Sequence, residues 1–136
     1  MVEIVMTWAL IASLAQDAGA KYPNLVAAQW ALESGWGENV TGKNNPFGIK
    51  GEGVEINTVE WNGKEYINEK AEFKSYPSIN AAVKELVDKW YKDYKGYKGV
   101  NNASNREEAA RELKRQGYAT APDYPEKLIR LMNRNS

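Results

Sequence analysis

The chain has 136 residues, 43% of them hydrophobic, with five tryptophans, eight tyrosines and two phenylalanines: the length of one domain, with apolar material for a core. Lysine plus arginine number 18, as do aspartate plus glutamate, so no net field draws the chain toward nucleic acid or an anionic membrane. The absence of cysteine and histidine excludes disulfides, thiol nucleophiles, histidine triads and the usual zinc sites, which leaves carboxylates, hydroxyls and amines for any chemistry.

Residues 1–20, MVEIVMTWALIASLAQDAGA, contain an apolar run and an AGA that imitates a signal-peptide cleavage site. Glu3 stands where such a peptide carries lysine or arginine, and the run is too short to cross a bilayer. A buried first helix over about 8–18 is the expectation instead, capped by Thr7, apolar at Trp8, Leu10, Ile11 and Leu14, and stopped by Gly19. Pro23 and Asn24 open a second helix, with Leu25, Ala28 and Leu32 on one stripe and Val26 and Trp30 beside it, ending near Ser34 and Gly35.

Residues 35–53 hold Gly35, Gly37, Gly42, Gly48, Gly51 and Gly53 with Asn44, Asn45 and Pro46, a density that forbids regular helix and reads as a long loop, ordered or disordered. From 54 to 76 the pattern alternates around Asn62-Gly63, the strongest two-residue hairpin signal, and predicts a small antiparallel hairpin or a three-stranded sheet. Ser78 then caps an amphipathic helix of about four turns reaching Trp90, through Ile79, Ala82, Val83, Leu86 and Val87. Asn105 with Glu108 forms a capping box for a helix that ends at Gln116 and Gly117. Asp123 with Glu126 opens a last helix, which buries Leu128, Ile129, Leu131 and Met132. The fold class expected is α+β, mainly α: a single domain over 1–136 whose β lobe, about 50–76, faces a helical lobe across a groove.

Glu33 is the sharpest chemical feature. Leu32, Trp30 and Trp36 would desolvate it, and the end of the second helix presents partial negative charge to it. Both effects favour the protonated acid, which can donate a proton to a leaving group. The alternative is a partly exposed glutamate paired with a lysine. Acid catalysis of this kind wants a second carboxylate across a cleft. Among Glu55, Glu60, Glu65, Glu69 and Glu72, strand alternation puts Glu60 on the face of Val54, Ile56 and Thr58. The others read as solvated edge charges. Aromatic rings with asparagines in NNPFGIKG and GYATAPDY suit sugar faces and their hydroxyl rims, although most single aromatics are core residues.

The blocks AAQWALESGWGENVTGKNNPFGIKG, TVEWNGKEYINEKAEFKSYPS and GYATAPDYPEKLIRL, in this order across about residues 8–133, resemble glycoside hydrolase family 73. That family comprises the peptidoglycan endo-β-N-acetylglucosaminidases of autolysins, flagellar hydrolases and phage endolysins. The resemblance implies a lysozyme-like fold and hydrolysis of the β-1,4 bond between N-acetylglucosamine and N-acetylmuramic acid, without a metal or cofactor. It places the general acid at Glu33, the second carboxylate at Glu60, and at Tyr118 the tyrosine that closes on the acid. Asn45, Phe47 and Gly48 correspond to a cleft-lining loop, and Tyr76, Thr120 and Tyr124 join them as substrate contacts, while Trp36 is expected to pack beneath Glu33. One departure is Ala121, where the family's pattern usually carries an aspartate; its loss alters loop bonding or subsite contacts and spares both carboxylates.

Muramidase or lytic transglycosylase action on the same polymer, and a glycan-binding module without turnover, are the rival readings. The expected partner is a peptidoglycan strand, with no nucleic acid or membrane partner and a monomeric state. The expected place of action is the bacterial cell wall. Without a clear signal peptide or wall-binding repeats, the chain fits a phage endolysin or a module of a larger autolysin.

Overall fold

A computed structural model describes residues 6–41, 43–94 and 97–135. The start of the apolar N-terminal segment with Glu3, and Gly42 of the glycine-rich loop, lie outside the described residues.

The first helix, α1 (Trp8–Ala18), begins where the Thr7 hydroxyl accepts the Leu10 amide at 3.2 Å and ends at Gly19 with φ 106°. A second helix, α2 (Pro23–Ser34), has proline in its first turn and closes on Gly35 with φ 57°. Every residue from Leu25 to Ala31 is buried, so α2 is the central rod of the core, packed on α1 and on the last helix, and not a one-stripe surface helix. Gln29 is fully buried in the middle of that run.

The glycine-rich segment after α2 is an ordered loop. Asn45, fully buried, clamps it from inside: its amide donates to the carbonyls of Ile49 and Lys74, both at 2.8 Å, and its Oδ1 accepts the Ile49 amide at 3.1 Å. The Ile49 amide and the Lys74 carbonyl thereby gain a partner, and the Ile49 carbonyl, which also accepts the Lys74 amide at 2.9 Å, gains a second.

Strand β1 (Gly53–Trp61) pairs antiparallel with β2 (Tyr66–Lys74), in a register running from Gly53 opposite Lys74 to Trp61 opposite Tyr66. The result is a two-stranded hairpin arm. The two-residue turn expected at Asn62-Gly63 is a four-residue connection instead. Asn62 Oδ1 accepts the amides of Lys64 and Glu65, each at 2.9 Å, and so closes the turn one position before the ladder resumes.

Helix α3 (Ile79–Leu86) is capped by Ser78, whose hydroxyl accepts the Ala81 amide at 3.1 Å. Beyond Leu86 the expected α-helical continuation widens into a π-helical turn, Val87–Lys92, which buries Val87 and Tyr91 and sets Asp88, Lys89 and Trp90 along the cleft. A short hairpin of β3 (Asp93–Tyr94) and β4 (Tyr97–Lys98) follows; nothing in its local pattern announced it. Helix α4 (Arg106–Arg115) starts where Asn105 accepts the Glu108 amide at 2.8 Å, and α5 (Tyr124–Asn135) completes the helical body. At the end of α4, Gly117 has φ 82°, its amide bonds Lys114, and the Tyr118 amide bonds Leu113 at 3.0 Å, a glycine-terminated stop that aims Tyr118 back at the body. The observed architecture is the mainly helical, two-lobed one expected. The cleft lies between the body and the face of the arm that carries Thr58 and Glu60.

Candidate active site

Glu33 occupies the last turn of α2 and lines the cleft, with part of its surface open to it. The carboxyl lies against the backbone of Gly48: a Cβ built there would meet Glu33 Oε2 at 3.3 Å, and Gly48 has φ 65°. Close approach and left-handed backbone together demand glycine.

The protein around the carboxyl withdraws water from it and pushes its pKa from an ordinary 4.5 up to about 7. The Tyr124 hydroxyl opposes that rise, the charge of Glu60 adds to it, and Lys50 opposes it. Glu33 is thus a carboxylic acid that keeps its proton near neutral pH.

Glu60 projects from β1 into the same cleft. One of its oxygens takes the ammonium of Lys50 and the other accepts the Thr120 hydroxyl at 3.4 Å. These two bonds anchor Glu60 to the base of the arm and to the loop between α4 and α5. The two glutamates therefore share a cleft in different surroundings, one desolvated and one ion-paired.

The two tyrosines both stand near the acid, with different hydrogen-bond partners. Tyr118 donates its hydroxyl to the Phe47 carbonyl at 2.6 Å and stacks edge-on against Trp90, so its proton goes to the cleft-lining loop and not to the acid. Tyr124, expected only as a substrate contact, is the tyrosine whose hydroxyl favours the Glu33 carboxylate. Burial pushes both hydroxyls well above the usual tyrosine range, and the charge of Glu33 adds to it, so both remain protonated donors.

Phe47, Gly48, Thr120, Tyr118 and Tyr124 all line the cleft, as does Ala121. Asn45 and Tyr76 do not: Asn45 is spent on loop backbone, and Tyr76 is buried beside Glu85, the partner of Lys74 at 2.5 Å and Lys89 at 3.0 Å. Their sequence positions matched a binding pattern; their side chains serve the loop and the core. Trp36 is 47% exposed and its ring packs on Trp8 and on the buried Trp30, each at 5.7 Å between centroids, so it covers the edge of the core and is absent from the lining of the cleft.

Sequence reasoning missed Lys50, Trp61, Tyr66 and Trp90 as cleft residues, and Gln29 and Tyr91 behind the acid. Gln29 did leave a signal: it is an amide inside an otherwise apolar run, and such a buried group must have partners. Among the described residues no cluster of acids is arranged to hold a metal ion, and no helix is long and apolar enough to cross a membrane.

Residues 9–136 match the Glucosaminidase family, described as mannosyl-glycoprotein endo-beta-N-acetylglucosaminidase. The peptidoglycan hydrolase FlgJ of Escherichia coli K12 is 34% identical over 135 residues, covering 90% of this chain and 43% of FlgJ. The exo-glucosaminidase LytG of Bacillus subtilis is 33% identical over 124 residues, covering 82% of this chain and 43% of LytG. A crystal structure of a peptidoglycan hydrolase mutant from Sphingomonas sp. A1 superposes with a TM-score of 0.72 at 32% identity, covering 95% of this chain and 90% of that one. The chain spans less than half the length of the curated relatives it matches, 36% in Vibrio cholerae FlgJ.

Proposed function

Because the chain belongs to the glucosaminidase family, glycoside hydrolase family 73, we propose that it hydrolyses the β-1,4 bond between N-acetylglucosamine and N-acetylmuramic acid in bacterial peptidoglycan, with Glu33 as the general acid. The observation that carries this reading is the Glu33 carboxyl, raised to about 7 by burial, facing a cleft whose other wall presents Glu60.

A bound strand lies in the cleft with its scissile oxygen at Glu33. The acid gives its proton to that oxygen as the bond to the anomeric carbon breaks, so the departing sugar leaves as a neutral alcohol. Positive charge develops at the anomeric carbon and ring oxygen. Glu60 then orients water toward that carbon or stabilises the oxocarbenium-like centre, while Lys50 and Thr120 hold its side chain in place. Addition of water returns a proton, and Glu33 is restored. Aromatic cleft residues, among them Trp61, Tyr66 and Trp90, offer faces for the sugar rings. The place of action is the cell wall.

Digestion of purified peptidoglycan followed by borohydride reduction of the products tests the cut. Reduced glucosamine ends are expected. Reduced muramic acid ends would make the protein a muramidase, anhydro ends a transglycosylase, and intact strands a binding module, and any of these overturns the proposal.

A further inference from the structure

Among the described residues, the charged ones that line the cleft are Glu33, Lys50, Glu60, Asp88 and Lys89. Glu33 keeps its proton near neutral pH, and Lys50 and Glu60 pair with each other. Asp88 has its own cation, Lys92, at 3.2 Å. Lys89 has to share its partner: Glu85 Oε1 stands 3.0 Å from its ammonium and 2.5 Å from that of Lys74, the last residue of β2. Two ammonium groups on one carboxylate leave one positive charge unneutralised. Among the described residues, the surplus charge of the cleft wall therefore falls at Lys89.

The π-helical turn after α3 accounts for that placement. Lys89 sits in it between Asp88 and Trp90, and all three line the cleft. A π-helical turn holds more residues than an α-helical one, so consecutive side chains are less spread around the axis and reach the same cleft. The Trp90 ring, set edge-on against Tyr118 at 4.9 Å between centroids, offers a face for a sugar, and Lys89 adjoins it in the chain. The Lys89 side chain is 62% exposed and ends a flexible four-carbon stem, so its ammonium is able to swing. When it leaves Glu85, that carboxylate still has Lys74, and no half-buried charge is left without a partner.

We propose that Lys89 is a specificity residue, which takes a carboxylate carried on the lactyl substituent of N-acetylmuramic acid. The inference rests on the peptidoglycan reading above and deepens it, by naming what the cleft wall recognises in the strand besides its sugar rings. An N-acetylglucosamine unit is neutral. A muramic acid unit carries a lactyl group that ends either in its own carboxylate or, through an amide bond, in a stem peptide that has carboxylates of its own. Both sources present an anion beside the sugar chain, the charge that the Lys89 ammonium complements. Asp88, next to it in the turn, is neutralised by Lys92 and leaves that attraction in place.

The test is the affinity for three soluble oligosaccharides of equal length, measured by titration calorimetry with the whole chain carrying Glu33→Gln to prevent turnover. One is glycan stripped of peptide, with free lactyl carboxylates; one bears stem peptides, with its lactyl groups in amide linkage; one is a neutral N-acetylglucosamine oligomer. Lys89→Met and Lys89→Arg are compared on that background. An exposed ion pair is worth about two- to fivefold in Kd, so Lys89→Met weakens binding of an anionic glycan by that factor and leaves the neutral oligomer unchanged. Lys89→Arg keeps the affinity, and added salt shrinks the difference between the two variants. A loss confined to the stripped glycan assigns the lactyl carboxylate, and one confined to the peptide-bearing glycan assigns a stem carboxylate. Unchanged affinity for both anionic glycans, an equal loss on all three, or a loss indifferent to salt overturns the inference. Failure of the underlying reading looks different: unmodified protein that binds the glycans with the same Lys89 dependence and leaves them uncut sinks the reaction and not the recognition.

Discussion

The hydroxyl of Tyr118 lies 2.6 Å from the carbonyl of Phe47 and joins the loop after α4 to the loop that carries Gly48 against Glu33. Removing the hydroxyl with Tyr118→Phe leaves a carbonyl unpartnered in a desolvated place, at a cost of about 1–3 kcal/mol. A lower Tm and faster amide exchange across residues 45–50 are expected, with slower turnover as the wall beside Glu33 loosens. Unchanged exchange in that loop would show that the bond does not hold it.

Gly48→Ala meets two obstacles at once. A left-handed φ of 65° costs a residue with a Cβ about 1–2 kcal/mol, and that Cβ would stand 3.3 Å from Glu33 Oε2. Stability should fall by about that much, and turnover should fall further than stability explains because the carboxyl itself is displaced. Thermal unfolding and steady-state kinetics on one preparation check both; full activity with a lowered Tm would mean that the carboxyl does not depend on this contact.

Glu33 also sets a pH dependence of stability. Its pKa in the folded chain, about 7, lies above its ordinary 4.5, so between these values the unfolded state has lost a proton that the folded state keeps. Stability therefore falls as pH rises through that window and levels off above it. Glu33→Gln removes the penalty. Its Tm should exceed that of the unmodified protein by more at pH 8 than at pH 5, with a difference in stability of roughly a few kcal/mol at the upper end. A gain that is the same at both pH values would contradict the raised pKa.

Lys50 and Glu60 act on the acid with opposite signs, since the cation favours the Glu33 carboxylate and the anion disfavours it. Lys50→Met should raise the basic limb of the activity profile and Glu60→Gln should lower it, each by roughly half a unit for charges across a partly solvated cleft. Glu60→Gln should also lower kcat itself. Shifts of equal sign in the two variants would rule out direct charge coupling.

Much of this was legible in the chain. Thr7, Ser78 and Asn105 cap their helices as their local patterns predict, because a cap is decided within three or four residues. Glu33 was recognisable because desolvation follows from the helix it terminates. The surroundings of the tyrosines were not, since Tyr118 and Tyr124 differ only in which distant group each hydroxyl meets, the Phe47 carbonyl or the Gln29 amide. Asn45 and Tyr76 misled for the same reason: a residue type suited to sugar is equally suited to a buried clamp. The π-helical turn after Leu86 has no distinctive local pattern, and with it Tyr91 stayed hidden behind the acid.

The most direct measurement is the rate at which Glu33→Gln releases reducing ends from purified peptidoglycan at pH 6, beside the unmodified protein, with circular dichroism showing that both are folded. Loss of the general acid predicts a fall of about 10²–10⁴-fold with the fold intact. A rate within a few-fold of the unmodified protein would contradict the assignment of Glu33, and with it the account of the cleft built around that carboxyl.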